Sequence, residues 1–152
     1  MSDCDILLVE DDLFKREMVI SLLRERLPSR LVTLADSVSA AVQLLKDNSF
    51  DLLILDMSLP SHEPKPGSAG VASLLSGGLE VIMELAYQAI DTPVIILTQY
   101  REVEIESKLV PLRLVKKTIA STFDIQIRDA LHFDRKTQVW AERLIELVGT
   151  NK

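Results

Sequence analysis

The sequence contains a single cysteine, Cys4, so the chain cannot form an internal disulfide. Cysteine scarcity is typical of proteins that work in a reducing compartment. The N-terminal segment is acidic and lacks the basic n-region of a secretory signal. We therefore expect a cytoplasmic protein.

Long apolar runs and an excess of basic residues are also missing. No apolar stretch approaches the roughly 20 residues that a membrane-spanning helix needs. Lys and Arg number 17 against 23 Asp and Glu, which leaves a formal net charge of −6. Nucleic-acid-binding modules usually present a basic face. We expect neither a membrane nor a nucleic acid as a partner.

Glycine and proline are sparse over most of the chain and concentrated in one region. Residues 57–78 hold all but one of the five glycines and half of the six prolines, which indicates a long loop. The total of 152 residues fits one domain. We predict a single domain over 1–152.

Two short apolar runs, far apart in the chain, end in carboxylates. Residues 6–9 lead into Glu10 and Asp11, and residues 52–55 lead into Asp56. Uninterrupted apolar runs of this length are typical of strands buried on both faces of a parallel sheet. The ends of such strands form a crevice where ligands bind. Three carboxylates at one edge would repel each other unless a cation such as Mg²⁺ neutralised them.

The first helix is predicted to follow this acidic run. Asp12 is expected to cap its N-terminus. Leu13, Met18, Leu22 and Leu23 fall near helical spacing and predict its apolar face.

A third apolar run, 94–97, leads into Thr98. The stretches ILLVEDD, DLLILDMSLP and PVIILTQY together resemble the receiver domain of two-component response regulators. The resemblance extends over about residues 5–100. It implies a flavodoxin-like receiver fold, which is a doubly wound α/β fold with a five-stranded parallel sheet in the order 2-1-3-4-5.

The same resemblance implies a role for individual residues. Asp56 would be the phosphoacceptor, and Thr98 would donate a hydrogen bond to a phosphoryl oxygen. Glu10, Asp11 and Asp56 would hold Mg²⁺ together with the backbone carbonyl of Ser58.

One connection departs from the family pattern. The chain between Asp56 and Thr98 is longer than in typical receivers, which places an inserted loop at about 61–76. Loops of this length are uncommon unless they are functional or disordered. The insertion is either a lid or partner-specific surface beside Asp56, or a tolerated surface loop.

The last third of the chain fits the family in two ways. Receivers normally carry a lysine after the fifth strand. If residues 114–117 formed that strand, Lys116 would be the usual lysine, but a long remainder would follow it. The alternative, which we favour, places the fifth strand at 130–133.

This second alignment uses each strand and helix of the fold once. It makes 102–122 a long helix, broken or kinked near Pro111, and 137–148 the last helix. The usual lysine is then missing, and Arg135 or Lys136 would be the nearest cation to the site.

We therefore expect a single-domain response regulator rather than an enzyme. It would accept a phosphoryl group on Asp56 from a histidine kinase or phosphotransfer protein and signal through a separate protein. An alternative is a phosphorylation-independent pseudo-receiver that serves as a protein-interaction module, which the missing lysine and the bulky Gln99 favour. An aspartate-nucleophile phosphatase is disfavoured because Ser58 stands where those enzymes have a second Asp.

Overall fold

The computed structural model describes residues 5–60, 73–74 and 77–149. Its strands, in chain order, are β1 (Asp5–Val9), β2 (Leu31–Ala35), β3 (Leu52–Leu55), β4 (Leu59–Pro60), β5 (Ser73–Leu74), β6 (Val94–Thr98), β7 (Glu102–Ile105), β8 (Lys108–Pro111) and β9 (Ile127–His132). Its helices are α1 (Leu13–Arg26), α2 (Val38–Asp47), α3 (Gly77–Tyr87), α4 (Leu112–Phe123) and α5 (Val139–Gly149). None of these helices is long and apolar enough to cross a membrane.

The main sheet of the described residues is parallel throughout and has the order β2-β1-β3-β6-β9. Between any two consecutive strands of this sheet the chain passes through a helix, which lets all five strands run in the same direction. This order is the predicted 2-1-3-4-5 arrangement, so the fold expected from the resemblance is confirmed.

Alternate residues of the central strands point to opposite faces of the sheet and build two separate cores. In β1, Leu7 and Val9 pack with residues of α2, α3 and α4. Ile6 and Leu8 pack on the other face with residues of α1 and α5. Burial on both faces explains why these strands are uninterrupted apolar runs.

Helix α1 confirms one prediction and corrects another. The side chain of Asp12 caps it by accepting a hydrogen bond from the backbone N–H of Lys15. Its buried face matches the predicted one only in part: Leu23 is buried and Met18 and Leu22 pack against the core, whereas Leu13 is 62% exposed. The buried positions include Lys15, Val19 and Leu23, which lie four residues apart on one side of the helix.

The region after β6 corrects the predicted helix over 102–122. Strands β7 and β8 form an antiparallel hairpin, and helix α4 begins only at Leu112. The expected kink near Pro111 is therefore the end of a strand and the N-cap of a shorter helix.

The hairpin is explained by its side-chain period and by its turn. Val103 and Ile105 are buried while their neighbours are more exposed, which is the period of two that a strand requires. Glu106 and Ser107 have φ of 51° and 67°. Two consecutive residues with positive φ form the type I′ turn that joins hairpin strands, and they cannot lie within a helix.

The fifth strand of the sheet is β9, so the second alignment is confirmed. Its bounds differ from the predicted 130–133, because the strand begins at Ile127 and ends at His132. The backbone N–H of Phe133 still donates to the carbonyl of Thr98 at 2.7 Å. Lys116 lies on the exposed side of α4 and does not follow a strand of the sheet. Helix α5 begins two residues later than predicted.

The predicted insertion at 61–76 lies outside the described residues except for Ser73 and Leu74. These two residues form β5, which pairs antiparallel with β4. The two ends of the connection are thus joined to each other. The two interpretations of the segment between them stay predictions.

Candidate phosphoacceptor site

Three carboxylates converge at the carboxyl-terminal edge of β1 and β3. Val9 pairs with Leu55 in the parallel register, so Glu10 and Asp56 leave the sheet at the same level. Oxygens of Glu10, Asp11 and Asp56 all lie within 4.8 Å of one another. The structure thus brings together the three acidic side chains that the sequence predicted.

Two of these carboxylates are buried. Glu10 is 2% exposed and Asp56 is 5% exposed, whereas Asp11 is more accessible. Burial, and then the charge of Asp56, raise the pKa of Glu10 to about 8. Burial also raises the pKa of Asp56, although Lys15 and backbone N–H groups act in the opposite direction. The raised pKa values mean that a further positive charge close to Glu10 and Asp56 would stabilise their ionised forms.

This donor set fits a divalent cation. Carboxylate oxygens are the ligands that Mg²⁺ prefers, and three of them meet here from two adjacent strand ends. Burial is the main cause of the raised pKa of Glu10, and a cation at this position would offset the repulsion from Asp56 that adds to it. The site is therefore compatible with the predicted magnesium ion.

The loop after β3 holds Asp56 from the backbone side. The N–H of Met57 donates to Oδ1 of Asp56 at 2.8 Å, and the N–H of Ser58 donates to the same carboxylate. Ser58 is buried beside it, and a magnesium-ligand role for its carbonyl stays a prediction.

Gly78 brings the start of α3 against this loop. Its N–H donates to the carbonyl of Met57 at 2.9 Å. A Cβ at Gly78 would lie 2.5 Å from the carbonyl oxygen of Asp56 and 2.7 Å from the Cα of Met57. Only glycine permits this approach, so α3 supports the backbone that carries the proposed acceptor.

Thr98 lies at the end of β6 and is fully buried. Strand β6 is the neighbour of β3, so Thr98 is at the same edge of the sheet as Asp56. Its Oγ1 accepts a hydrogen bond from the N–H of Tyr100 at 3.2 Å. Gln99 is exposed, and its carbonyl lies 3.1 Å from Nε2 of His132. His132 thus has a structural partner.

Phe133 follows β9 at the place where receivers normally carry a lysine. Its side chain is buried and packs on Trp140, with ring centroids 4.8 Å apart. The indole Nε1 of Trp140 donates to the carbonyl of Asp134, which fixes the ring pair. An aromatic pair therefore occupies this strand end, and the expectation that the usual lysine is missing is confirmed.

Sequence reasoning missed Lys15, which is fully buried in the site. Its Nζ lies 2.6 Å from Oε1 of Glu10 and 3.4 Å from Oδ1 of Asp56. It also donates to the carbonyl of Leu97 at 2.6 Å. The available signal was a lysine four and eight residues before Val19 and Leu23, on the same side of the first helix as these apolar residues.

The prediction that Arg135 or Lys136 is the nearest cation is therefore wrong. Across the described ranges, Lys15 is the basic residue with a nitrogen within 4.0 Å of the Asp56 carboxylate. Arg135 instead lies over the ring of Phe14, 4.2 Å from its centroid. The correction follows from the face of α1 that is buried.

Comparisons with known proteins agree with this geometry. A family model described as the response regulator receiver domain matches residues 6–116. The chain is 35% identical over 146 residues to the Detocs response regulatory protein DtcB of Vibrio alginolyticus, covering 94% of this chain and 98% of that protein. It is 25% identical over 145 residues to the protein of the same name from Enterobacter cloacae (strain JD6301), covering 94% and 97%.

Solved structures agree on the fold. A CheY-like response regulator receiver domain protein from Methanospirillum hungatei JF-1 superposes with a TM-score of 0.65 at 17% identity, covering 97% of this chain and 92% of that chain. The response regulator TrrA of Thermotoga maritima, solved in complex with Mg²⁺ and BeF, gives a TM-score of 0.59 at 20% identity, covering 95% and 98%. At these identities the likeness concerns the fold.

Proposed function

Since this chain belongs to the response regulator receiver domain family, we propose that it accepts a phosphoryl group on Asp56 from a histidine kinase or a phosphotransfer protein. The observation that carries the proposal is the convergence of Glu10, Asp11 and Asp56 at one strand edge beside Thr98. The relatives named Detocs response regulatory proteins support a role for this chain as a response regulator.

The chemistry proposed for Asp56 is transfer from a phosphohistidine. An oxygen of the Asp56 carboxylate forms a bond to phosphorus as the bond between phosphorus and the donor imidazole nitrogen breaks, and the imidazole leaves. The product is an acyl phosphate on Asp56. Thr98 would donate its hydroxyl hydrogen to a phosphoryl oxygen.

Magnesium would be held by Glu10, Asp11 and Asp56, with the carbonyl of Ser58 as a further ligand. When bound, the ion supplies positive charge that screens the phosphoryl group from the carboxylates. The residues of the chain position the acceptor: the backbone N–H groups of Met57 and Ser58 hold the Asp56 carboxylate.

The output of such a domain is a change in its surface. We propose that residues 1–152 act as one cytoplasmic receiver-like domain that signals through a separate downstream protein, without contacting nucleic acid or membrane. Phosphorylation would bias a surface close to Thr98, since the hairpin of β7 and β8 directly follows that residue.

The test is phosphorylation by a small-molecule donor. Wild-type protein is incubated with Mg²⁺ and acetyl phosphate and the intact mass is measured, with beryllofluoride binding as a second readout. Asp56→Asn should abolish the mass increase and leave the melting temperature within a few degrees, because the buried carboxylate is replaced by a neutral amide of the same shape.

Asp91→Asn is the matched control, because Asp91 is an exposed acid at the opposite end of β6. It should be phosphorylated as the wild type is. Labelling that persists in Asp56→Asn would show that another residue is the acceptor.

A second function, a pseudo-receiver that binds its partner without phosphorylation, is favoured by one observation. Phe133 occupies the strand end where receivers normally carry a lysine. If the wild type neither gains mass nor binds beryllofluoride while it still binds Mg²⁺, this second function replaces the first.

A further inference from the structure

Helix α1 carries an internal ammonium group into the site. Lys15 is 0% exposed, and its Nζ contacts three oxygens, which belong to Glu10, Asp56 and the Leu97 carbonyl. A buried lysine is costly unless its charge is paired, and these contacts come from the residues that follow β1 and β3 and from β6 itself. The side chain thus links the acidic strand ends to the strand that ends in Thr98.

The place of Lys15 is complementary to that of Phe133. Its Nζ lies 5.6 Å from the centroid of the Phe133 ring, so the ammonium group fills the space in front of the aromatic side chain. The strand end contributes the ring and the helix contributes the charge. The site therefore retains a cation beside Asp56 although β9 does not provide one.

We infer that Lys15 is a catalytic residue of phosphoryl transfer, pairing with Asp56 before the reaction and with a phosphoryl oxygen after it. The inference rests on the proposed function of Asp56. It assigns to α1 the contact that a lysine after the fifth strand makes in other receivers.

The charge balance shows why Lys15 complements magnesium rather than replacing it. With Mg²⁺ bound and all three carboxylates ionised, their three negative charges would be cancelled by the two charges of the ion and the one of Lys15. Loss of Lys15 leaves the site more negative. Magnesium should then bind more tightly, while the incoming phosphoryl group loses a hydrogen-bond donor. The two effects have opposite signs, which a purely structural role of Lys15 would not produce.

The test compares Lys15→Met with Lys116→Met, because Lys116 is exposed on α4 and undergoes the same substitution away from the acidic cluster. Magnesium affinity is measured by the fluorescence of Trp140, the single tryptophan. Phosphorylation by acetyl phosphate is measured at saturating Mg²⁺. Lys15→Met should bind Mg²⁺ several-fold more tightly and be phosphorylated about tenfold more slowly, as for a lost hydrogen bond to a charged group. Lys116→Met should match the wild type in both.

A second variant keeps the test decisive if Lys15→Met does not fold. Lys15→Gln removes the charge but retains an amide that can donate to the Leu97 carbonyl, and it should shift both measurements in the same directions. Wild-type phosphorylation rates in a folded variant, or an equal loss of rate in Lys116→Met, would overturn the inference.

Phosphorylation of the wild type separates this inference from the proposed function. If the wild type itself is not phosphorylated, the proposed function fails, and the catalytic role of Lys15 fails with it. If the wild type is phosphorylated and Lys15→Met is too, at the same rate, only the inference about Lys15 fails.

Discussion

The acidic site has two sides that are built differently. On the side of β1 and β3, Glu10, Asp11 and Asp56 follow buried strands at the positions expected of a receiver. On the side of β6 and β9, a hairpin follows Thr98 and an aromatic ring follows the last strand. The first side keeps the family pattern at all three acids, whereas the second keeps it at Thr98 and departs from it in the hairpin and at Phe133.

The difference shows that a functional group can be kept in space while its position in the sequence changes. The acids must lie at strand ends because the sheet register brings those ends to one level. A long flexible side chain is less constrained, since it can reach the same point from another element. Lys15 reaches Asp56 from the first turn of α1 and meets the carbonyl of Leu97 in β6.

The largest expected effect is a loss of stability caused by a substitution on the acidic side of the site. Gly78→Ala should lower the free energy of unfolding by about 1–3 kcal/mol, because the new methyl group would overlap backbone atoms of Asp56 and Met57. Denaturant titration measures the change. Gly149→Ala is the control, since a Cβ there meets nothing within 4 Å. Equal stability of the two variants would mean that the loop after β3 is not held by α3.

A smaller effect is expected from Asp11, which also belongs to the acidic side. Asp11→Asn should weaken Mg²⁺ binding about tenfold, since one of three carboxylate charges is lost. Titration of Mg²⁺ against the melting temperature or Trp140 fluorescence would detect this. An unchanged response would remove Asp11 from the proposed ligands. The result would also test whether the acids that match the family pattern on this side bind magnesium.

On the other side of the site, Thr98→Ala should slow phosphorylation by acetyl phosphate about fivefold, the value of one ordinary hydrogen bond. Thr98→Ser keeps the hydroxyl and should restore most of the rate. A serine variant as slow as the alanine variant would indicate that the methyl group of Thr98 matters through packing, because the residue is fully buried.

The smallest effect is expected in the hairpin. Replacing Glu106 and Ser107 by Asn-Gly should stabilise the protein by about 0.5–1 kcal/mol, because both positions have positive φ and these residues tolerate it. Thermal unfolding measures the gain. Phosphorylation should stay at the wild-type rate. A loss of stability would show that the Glu106 and Ser107 side chains contribute more than the turn geometry.

The sequence predicted best where few structures were possible. Apolar runs of four residues ending in acids, as before Glu10 and Asp56, are typical of buried parallel strands, and their combination with the run before Thr98 made the fold recognisable. Val103 and Ile105 were less informative, because a short alternation next to charged residues also fits one side of a helix. The turn at Glu106 and Ser107 lacks the Asn-Gly pair that indicates a type I′ turn.

The position of Lys15 in the site could not be predicted from the sequence for a different reason. The buried face of an amphipathic helix is inferred from its apolar residues, and a lysine is ordinarily assigned to the exposed face. The structure places Lys15 on the buried face with Val19 and Leu23 and leaves Leu13 exposed. A lysine becomes favourable there only because Glu10 and Asp56 pair with it. The stabilisation of the buried Lys15 depends partly on Asp56, which is distant in the sequence, and a local sequence pattern cannot report such a contact.

The pairing of β4 with β5 has a consequence for how this protein can vary. It pairs Pro60 with Ser73, so the two ends of the connecting segment lie next to each other. The entropy of closing a loop grows only with the logarithm of its length, about 0.6 kcal/mol for each doubling. Length and sequence between these ends can therefore drift at little thermodynamic cost, while Gly78 keeps the backbone of Asp56 in place.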